Sequence, residues 1–400
     1  MSKLERLIQQ YCPDGVEYYK VKDIYKRIKG TPITAGKMKE IANSSGSVRI
    51  FAGGKTAIDA NEEDIPNATI TKVPAVLVQS RGVIDVIYYD KPFTFKNELW
   101  GYTTDNKIAV KYLYYVLKNN VQVFRDAASG MGALPQISLK VTEDFEIPVP
   151  PLPVQEEIVR ILDTFTELQA ELQAELQKRQ QQYNFYRDTL LTNYASEQNV
   201  KEYCLGELFE FKNGLNASKE QFGHGKPIVN YVNVYKKNSI VSSDLTGRVE
   251  LDASTIERYR VKRGDVFFTR TSETREEVGF ASVLLENIED CVFSGFVLRA
   301  RPITNVILPE FCKYCFATYE IRKQIIQSST LTTRALTNGT SLSKVKIMIP
   351  PLEEQNRIVT ILDRFDTLTN DLTSGLPAEM EKRRQQYEYY RNRLLTFKRL

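Results

Sequence analysis

The chain has 400 residues, with 54 Lys and Arg against 50 Asp and Glu, a net charge of +4, and 42% hydrophobic residues. That length exceeds a single hydrophobic core, so two or more domains are expected in an otherwise ordinary soluble globular composition. No apolar run approaches the roughly twenty residues that span a bilayer. The start Met1-Ser2-Lys3-Leu4-Glu5 is too charged for a secretory signal, and five cysteines without framework spacing suit the cytoplasm.

In chain order, residues 1–15 read as a short amphipathic helix (Leu4, Leu7, Ile8, Tyr11) ended by Pro13-Asp14-Gly15. From Val16 the pattern turns to short strands, the best at Ile50-Phe51, Ala75 to Val78 and Val83 to Tyr89. A helix follows over Asn106 to Asn120, with Val110, Leu113, Tyr114 and Leu117 on one face. Ala127 to Leu134 is a small-residue loop, and Phe145 to Val149 leads into Pro150-Pro151. The second half repeats the plan. Val16, Tyr19, Val21, Asp23-Ile24-Tyr25 and Gly30 match Val200, Tyr203, Leu205, Glu207-Leu208-Phe209 and Gly214 at an offset of 184. Strands are expected around Ile228-Val229, over Val266 to Thr269 and over Phe293 to Leu298, then a helix from Pro309 to about Gln327. A loop over Ser328 to Thr340 precedes Lys346 to Ile349 and the second Pro-Pro.

Each Pro-Pro opens a long segment that the chain contains twice, and such a repeat decides the fold. Pro150-Pro151-Leu152, Gln155, Ile158-Val159, Ile161-Leu162-Asp163, Phe165 and Leu168 recur 200 residues later, from Pro350 to Leu368. Lys178-Arg179, Gln181-Gln182-Tyr183, Tyr186-Arg187 and Leu190-Leu191 recur 204 residues later, from Lys382 to Leu395. The apolar positions alternate steps of three and four, a coiled-coil seam with Arg179 and Arg383 each taking one position. The four extra residues of the second copy are one stutter. Ser374-Gly375-Leu376-Pro377 predicts a kink or break there, since an interior Pro costs about 3 kcal/mol. Two helices with one seam each satisfy one another by antiparallel pairing; a helix lying on a globular core is the alternative. A helix of about 38 residues is roughly 57 Å long, the length of some 17 base pairs. Two similar domains at the ends of such a rod would suit two separated half-sites, as dimer symmetry does elsewhere; a two-headed protein-protein scaffold with no DNA role has the same geometry.

The motif Pro-Pro-Leu-x-x-Gln-x-x-Ile-Val-x-Ile-Leu-Asp, present twice and each time after a β-rich domain, resembles the specificity subunit of type I restriction-modification systems. Lys262-Arg263-Gly264-Asp265-Val266-Phe267-Phe268-Thr269-Arg270-Thr271-Ser272 and Phe293-Ser294-Gly295-Phe296 resemble that family's target recognition domains; the first domain keeps only Ser80-Arg81-Gly82 near the matching place. The resemblance implies an α+β protein with target recognition domains at 1–149 and 197–349. Repeat helices at 150–196 and 350–400 form an antiparallel coiled coil with pseudo-twofold symmetry. By the same resemblance each domain reads one half of a bipartite asymmetric site in double-stranded DNA. The helices space the halves and dock two modification (methyltransferase) subunits, and restriction (translocase and nuclease) subunits join them. The resemblance places no active site and no cofactor in this chain; S-adenosylmethionine, ATP and Mg belong to partner subunits.

The residues are consistent with that expectation. There is no Gly-rich cofactor loop with an Asn/Asp-Pro-Pro-aromatic element, and Gly53-Gly54-Lys55-Thr56 is not a phosphate loop because Arg49 stands where its first Gly belongs. The lone histidine, His224, lies between glycines in an expected loop, as a solvated residue or a DNA contact. Cys312 and Cys315 align with Leu113 and Val116, which predicts core packing rather than zinc or redox work. DNA recognition takes Lys and Arg for phosphates, and Arg, Lys, Asn, Gln or Ser for base edges. Candidates are Arg49, Lys55, Lys72, Arg81 and the Arg125 to Gln136 loop in the first domain, and Arg270, Ser272, Arg275, Arg334 and Asn338 in the second. Each is equally readable as a solvated surface residue. The repeated helix endings have two readings as well. Tyr183, Tyr186, Tyr387 and Tyr390 sit on the seam, whereas Gln181, Gln182, Gln385 and Gln386 lie beside it, where a partner helix could reach.

Overall fold

Both halves of the chain open on the same strand, helical turn and strand. Tyr18–Lys20, Val21–Ile24 and Lys26–Ile28 in the first half answer to Lys201–Cys204, Leu205–Leu208 and Phe209–Asn213 in the second. This computed structural model describes residues 2–54, 56–129, 134–192, 200–331, 333–370 and 375–400, the side chains of 236, 369 and 370 excepted. Each opening strand pairs antiparallel with the strand before its Pro-Pro, Tyr19 opposite Ile147 and Tyr203 opposite Ile347. The chain thus returns to the start of each domain before the repeat helix begins. Val21 and Leu205 are fully buried at the turn.

The main sheet of the first domain has the order Lys26–Ile28, Leu99–Thr103, Ala75–Gln79, Asp85–Tyr89, all antiparallel. The second domain repeats it as Phe209–Asn213, Val297–Pro302, Val266–Thr269, Ala281–Leu284, and adds Ser239–Ile240 as a parallel edge. Ala75–Gln79 and Val266–Thr269 are buried along their whole length, as central strands covered on both faces are. A second, mixed sheet recurs too: Val48–Phe51 between Ala57–Ala60 and Phe93–Phe95, and Phe222–Val229 between Arg248–Val249 and Val292–Phe293. Gly30 and Gly214 hold equivalent close approaches. A Cβ on Gly30 would lie 1.8 Å from the Phe95 carbonyl oxygen, and one on Gly214 2.1 Å from that of Ser294.

The first repeat helix runs unbroken over Leu152–Thr192, 41 residues. Its one proline past the start, Pro153, falls in the first turn, where no intrahelical donor is lost. The motif glutamines hold both helix starts: Gln155 Nε2 donates to the Pro150 carbonyl at 2.7 Å and Gln355 Nε2 to that of Pro350 at 2.8 Å. Gln355 also accepts from the Leu308 amide at 2.8 Å. The second repeat helix is described as Leu352–Asn370 and Leu376–Leu394. Pro377 lies in the first turn of the latter, so the helix restarts where the sequence predicts a break.

The chain divides into two compact units, Met1–Gln173 with Met380–Leu400, and Ala174–Glu379. In each unit a domain core takes residues from both repeat helices. The first core joins Val110, Tyr112 and Leu113 to Val154, Ile158 and Leu162, and to Leu395 from the end of the other helix. The second joins Phe311 and Tyr314 to Ile358 and Leu362, and to Tyr183 and Leu191. The helices meet by aromatic stacking, Phe165 on Tyr390 (5.8 Å, 24°) in the first unit and Phe365 on Tyr186 (5.8 Å, 26°) in the second. Inside each unit the start of one repeat helix therefore packs against the end of the other.

Several expected elements differ. The helix expected from Pro309 to Gln327 is two, Pro309–Cys315 and Tyr319–Ser328. Thr318 breaks it with extended backbone, its hydroxyl donating to the Cys315 carbonyl at 2.8 Å. The strand expected over Phe293 to Leu298 is two, parted at Ser294-Gly295-Phe296. The expected loop over Ser328 to Thr340 holds the strands Thr330–Leu331 and Ala335–Leu336. His224 is in the bulged strand Phe222–Val229 rather than a loop, its glycine neighbours at positive φ. Residues 130–133 of the expected Ala127 to Leu134 loop lie outside the described residues.

Candidate functional site

In each domain a cleft opens where the central strand ends. After Ala75–Gln79, the backbone of Ser80-Arg81-Gly82 is held on three sides. The Ser80 hydroxyl donates to the Glu98 carbonyl at 2.7 Å, the Ile137 amide donates to the Ser80 carbonyl at 2.9 Å, and the Gly82 amide to that of Pro135 at 2.8 Å. Gly82 has φ +76, a conformation that costs Gly little. The side chain of Arg81 is left exposed, and no side chain pairs with it among the described residues. Lys39, Lys96, Glu98, Gly54 and Leu134 line the same cleft. Lys96 pairs with Glu98 at 3.2 Å, which leaves Lys39 and Arg81 as its uncompensated charges among the described residues.

The second cleft follows Val266–Thr269 in the same way. Arg81 bridges Gln136 in the first domain, and Thr271 pairs with Leu336 in the second, so strand end and return loop meet at matching places. The lining is different. Tyr231 and Tyr235 stack at 5.6 Å and 17°, Phe296 is 67% exposed, and Ser272, Glu273, Glu277 and Arg334 complete the wall. Tyr235 donates its hydroxyl to Glu277 at 2.9 Å and Ser272 donates to the other carboxylate oxygen at 3.2 Å. The bond to Glu277 raises Tyr235 above the usual phenol range. Arg322 holds the loop from behind, donating to the carbonyls of Glu276, Val278 and Gly279 with its guanidinium over Phe280. Burial lowers Arg322 to about 10.

These clefts gather only part of the sequence candidates. Arg81, Ser272 and Arg334 line them, Arg334 lying 4.0 Å from Glu273. Arg270 stands behind the second, donating to the Gly295 carbonyl at 2.9 Å. The others are engaged elsewhere. Arg49 is bidentate to Asp59 at 2.9 Å, Lys72 pairs with Glu62 at 2.9 Å, and Arg125 donates to the Ile84 carbonyl at 3.1 Å. Arg275 donates to the Ser329 carbonyl at 3.2 Å, and Asn338 caps the helical turn Gly339–Leu342 through the Ser341 amide. Lys55 lies outside the described residues. Lys39, Tyr231, Tyr235, Phe296, Glu273 and Glu277 were not candidates. Only Phe296 carried a signal, an aromatic beside a glycine in a motif already singled out.

The repeat motif has its own chemistry. Asp163 accepts from the Tyr115 hydroxyl and Asp363 from that of Tyr314, so the Ile-Leu-Asp aspartates fasten each repeat helix to its domain helix. Cys312 and Cys315 are buried in the core, and burial pushes the Cys312 thiol up. Among the described residues no group of three His, Cys, Asp or Glu is placed to hold a metal, and no helix is long and apolar enough to cross a membrane. Gln181, Gln182, Gln385 and Gln386 are all exposed. Gln182 accepts from Arg179, Gln386 from Arg383, and Gln385 donates to Glu381, each within its own helix.

A family model described as the type I restriction modification DNA specificity domain matches the sequence twice, at 13–179 and 197–382. A type I restriction enzyme specificity subunit of Escherichia coli is 33% identical over 310 residues, 73% of this chain and 72% of that one. A Haemophilus influenzae protein named as a putative type I restriction enzyme specificity subunit is 34% identical over 305 residues, 73% of each. Among solved structures, the S subunit of a type I restriction-modification system from M. genitalium shares the fold with a TM-score of 0.54 at 15% identity, covering 96% of this chain and 97% of that one. A chain from a study of complex assembly and conformational transition in a type I system does so at 0.63 and 12%, covering 96% and 98%.

Proposed function

The chain belongs to the type I restriction-modification DNA specificity family, and from that premise we propose that it reads a bipartite, asymmetric site in double-stranded DNA, one half per domain. The single observation that supports this is the pair of clefts, set at matching places in two like domains but lined differently. A symmetric reader would present the same lining twice. Here Arg81 and Lys39 supply positive charge in the first cleft, suited to phosphates and to the acceptors of guanine. The second offers Phe296, Tyr231 and Tyr235 as apolar and stacking surface, with Ser272, Arg334 and the carboxylates of Glu273 and Glu277 at its wall. Carboxylates accept from the amino groups of cytosine.

In this reading the repeat helices set the separation of the two halves and dock two modification subunits. The chain performs no chemistry of its own; S-adenosylmethionine, ATP and Mg act on partner subunits. The test is to map methylated adenines in DNA exposed to this chain with its modification subunit. One bipartite motif is expected. Arg81→Ala with Lys39→Ala should relax one half alone, and Phe296→Ala with Tyr231→Ala the other alone. An unsplit motif, methylation without sequence preference, or cleft variants that alter both halves at once would refute it.

A further inference from the structure

The carboxylate of Glu277 is out of place on a surface that meets a polyanion. It lines the second cleft together with Glu273, and Arg334 is the one cation of that lining among the described residues. Arg334 lies 4.0 Å from Glu273, and Glu277 has no ion-pair partner among the described residues. A negative charge held beside phosphates weakens binding to every sequence. A carboxylate placed there therefore needs a hydrogen-bond donor on the ligand.

Glu277 is also held still. One carboxylate oxygen accepts from the Tyr235 hydroxyl at 2.9 Å and the other from the Ser272 hydroxyl at 3.2 Å. The Ser272 hydroxyl accepts in turn from the Thr274 amide at 3.3 Å, which leaves its own proton for Glu277. The loop closes on the central strand, the Gly279 amide donating to the Thr269 carbonyl at 3.1 Å and the Phe280 amide to the Thr269 hydroxyl at 3.0 Å. Behind it Arg322 binds the carbonyls of Val278 and Gly279, the two residues after Glu277. A merely solvated glutamate gains nothing from such fixing, because ordering its side chain costs entropy. The two hydroxyls take one lone pair from each oxygen and leave the other free, and they do not cancel the charge. The first cleft has no such group, because Glu98, its one lining carboxylate among the described residues, pairs with Lys96 at 3.2 Å.

Base edges differ in what they offer a fixed carboxylate. In the major groove guanine and thymine present acceptors, which it repels. Adenine presents an amino group beside N7, an acceptor that would face the second carboxylate oxygen. Cytosine presents its N4 amino group with no acceptor beside it. We propose that Glu277 is a specificity-determining residue of the second domain, accepting a hydrogen bond from the N4 amino group of one cytosine and rejecting the other three bases there. This rests on the bipartite reading above and deepens it by assigning one residue to one base.

The experiment uses the full chain assembled with its modification subunit. Methylation mapping with Glu277→Ala should relax a single C·G position, in the half that Phe296→Ala with Tyr231→Ala also relaxes. In titrations the same variant should bind scrambled duplex more tightly than wild type, since a negative charge is gone. Its preference for the cognate duplex should nevertheless fall about tenfold. Placing 2-pyrimidinone, a cytosine without its amino group, at that position should cost wild type about tenfold and the variant nothing. Glu277→Gln keeps the shape and can pair with N6 and N7 of adenine, so it should admit adenine at that position, a gain that misfolding cannot produce. Two results would each overturn the inference and leave the bipartite reading standing. One is a Glu277→Ala variant that tightens cognate and scrambled DNA alike with its motif unchanged; the other is relaxation at a position that holds no cytosine. A wild-type complex with no bipartite motif overturns the reading beneath it as well.

Discussion

Arg81→Ala removes a guanidinium that holds nothing else in place. Its neighbours Ser80 and Gly82 fix the loop through backbone bonds that alanine keeps, and its own side chain is exposed without a side-chain partner among the described residues. The stability of the domain should therefore change by no more than about 0.5 kcal/mol. If the guanidinium bonds a base edge, its loss costs about 1–3 kcal/mol of discrimination, roughly five- to 150-fold in affinity for the cognate half. If it meets a phosphate, cognate and unrelated DNA weaken alike and the slope of log affinity against log salt falls by about 0.9. Fluorescence anisotropy with cognate and scrambled duplexes over a salt series separates the two. Arg49→Ala is the control. That guanidinium is bidentate to Asp59 and lies 5.9 Å over the Tyr89 ring, so its loss should lower the melting temperature and leave the salt slope alone. If Arg81→Ala leaves affinity and slope unchanged while Arg49→Ala changes both, the first cleft has been misplaced.

Further outcomes follow from the same geometry. Gly30→Ala and Gly214→Ala each drive a Cβ into a backbone carbonyl, at 1.8 and 2.1 Å, and each should cost about 3 kcal/mol in denaturant unfolding, whereas Gly36→Ala, with nothing within 4 Å, should not. Tyr115→Phe and Tyr314→Phe each remove the hydroxyl bonded to a repeat-helix aspartate. Lys111 and Lys313 stay beside those aspartates, so chemical denaturation should report equal, modest losses of about 1–2 kcal/mol. Glu157, its side chain 3% exposed, is held near 2 by hydrogen bonds from Arg160 and Lys3 against the opposing effect of burial. Its folded value is depressed, so its contribution is complete above about 4.5, the ordinary value, and is lost as pH falls through about 2. Glu157→Gln should remove about 1 kcal/mol at pH 7, because Lys3 and Arg160 are themselves mostly exposed to solvent and screened, and should flatten the acid limb of stability between those limits; an unchanged limb would show that the pair contributes nothing.

The repeat was legible because it is written in spacing. Phe165, Phe365, Tyr186 and Tyr390 recur at seam positions, and those rings stack. Buried strands were legible for a similar reason: Ala75 to Val78 and Val266 to Thr269 are apolar runs of strand length, and each is fully buried. What stayed hidden depends on partners far along the chain. Nothing in the sequence around Thr318 announces a helix end, because the device is one hydroxyl turned back on the Cys315 carbonyl. At the break, Gly295 lies so close to Asn216 that the Asn216 Oδ1 would be 2.2 Å from a Cβ there. The clefts are harder still. Phe296 and Tyr231 line one cleft from segments far apart in the chain, and a search for basic loop residues passes over a wall of aromatics and carboxylates.

A chain that contains its own comparison shows which positions do one job twice. Where both copies need the same contact, the residue is kept: Gln155 and Gln355 at the helix starts, Asp163 and Asp363 under a tyrosine, Gly30 and Gly214 against a carbonyl. Where only the environment is shared, chemistry drifts within it, as Leu113 and Val116 become Cys312 and Cys315 in an equally buried core. The clefts obey neither rule. Their frames agree, Arg81 beside Gln136 and Thr271 beside Leu336, yet Leu134 stands where the other copy has Arg334, and one lining is basic where the other is aromatic and acidic. Drift in a buried frame preserves apolarity, and drift on an idle surface preserves nothing, including the backbone bonds that pin Ser80 and Gly82. A pinned loop presenting unlike side chains is what two different recognition tasks on one scaffold require. That is why the argument for an asymmetric target rests on the clefts rather than on the helices, which are alike at both ends.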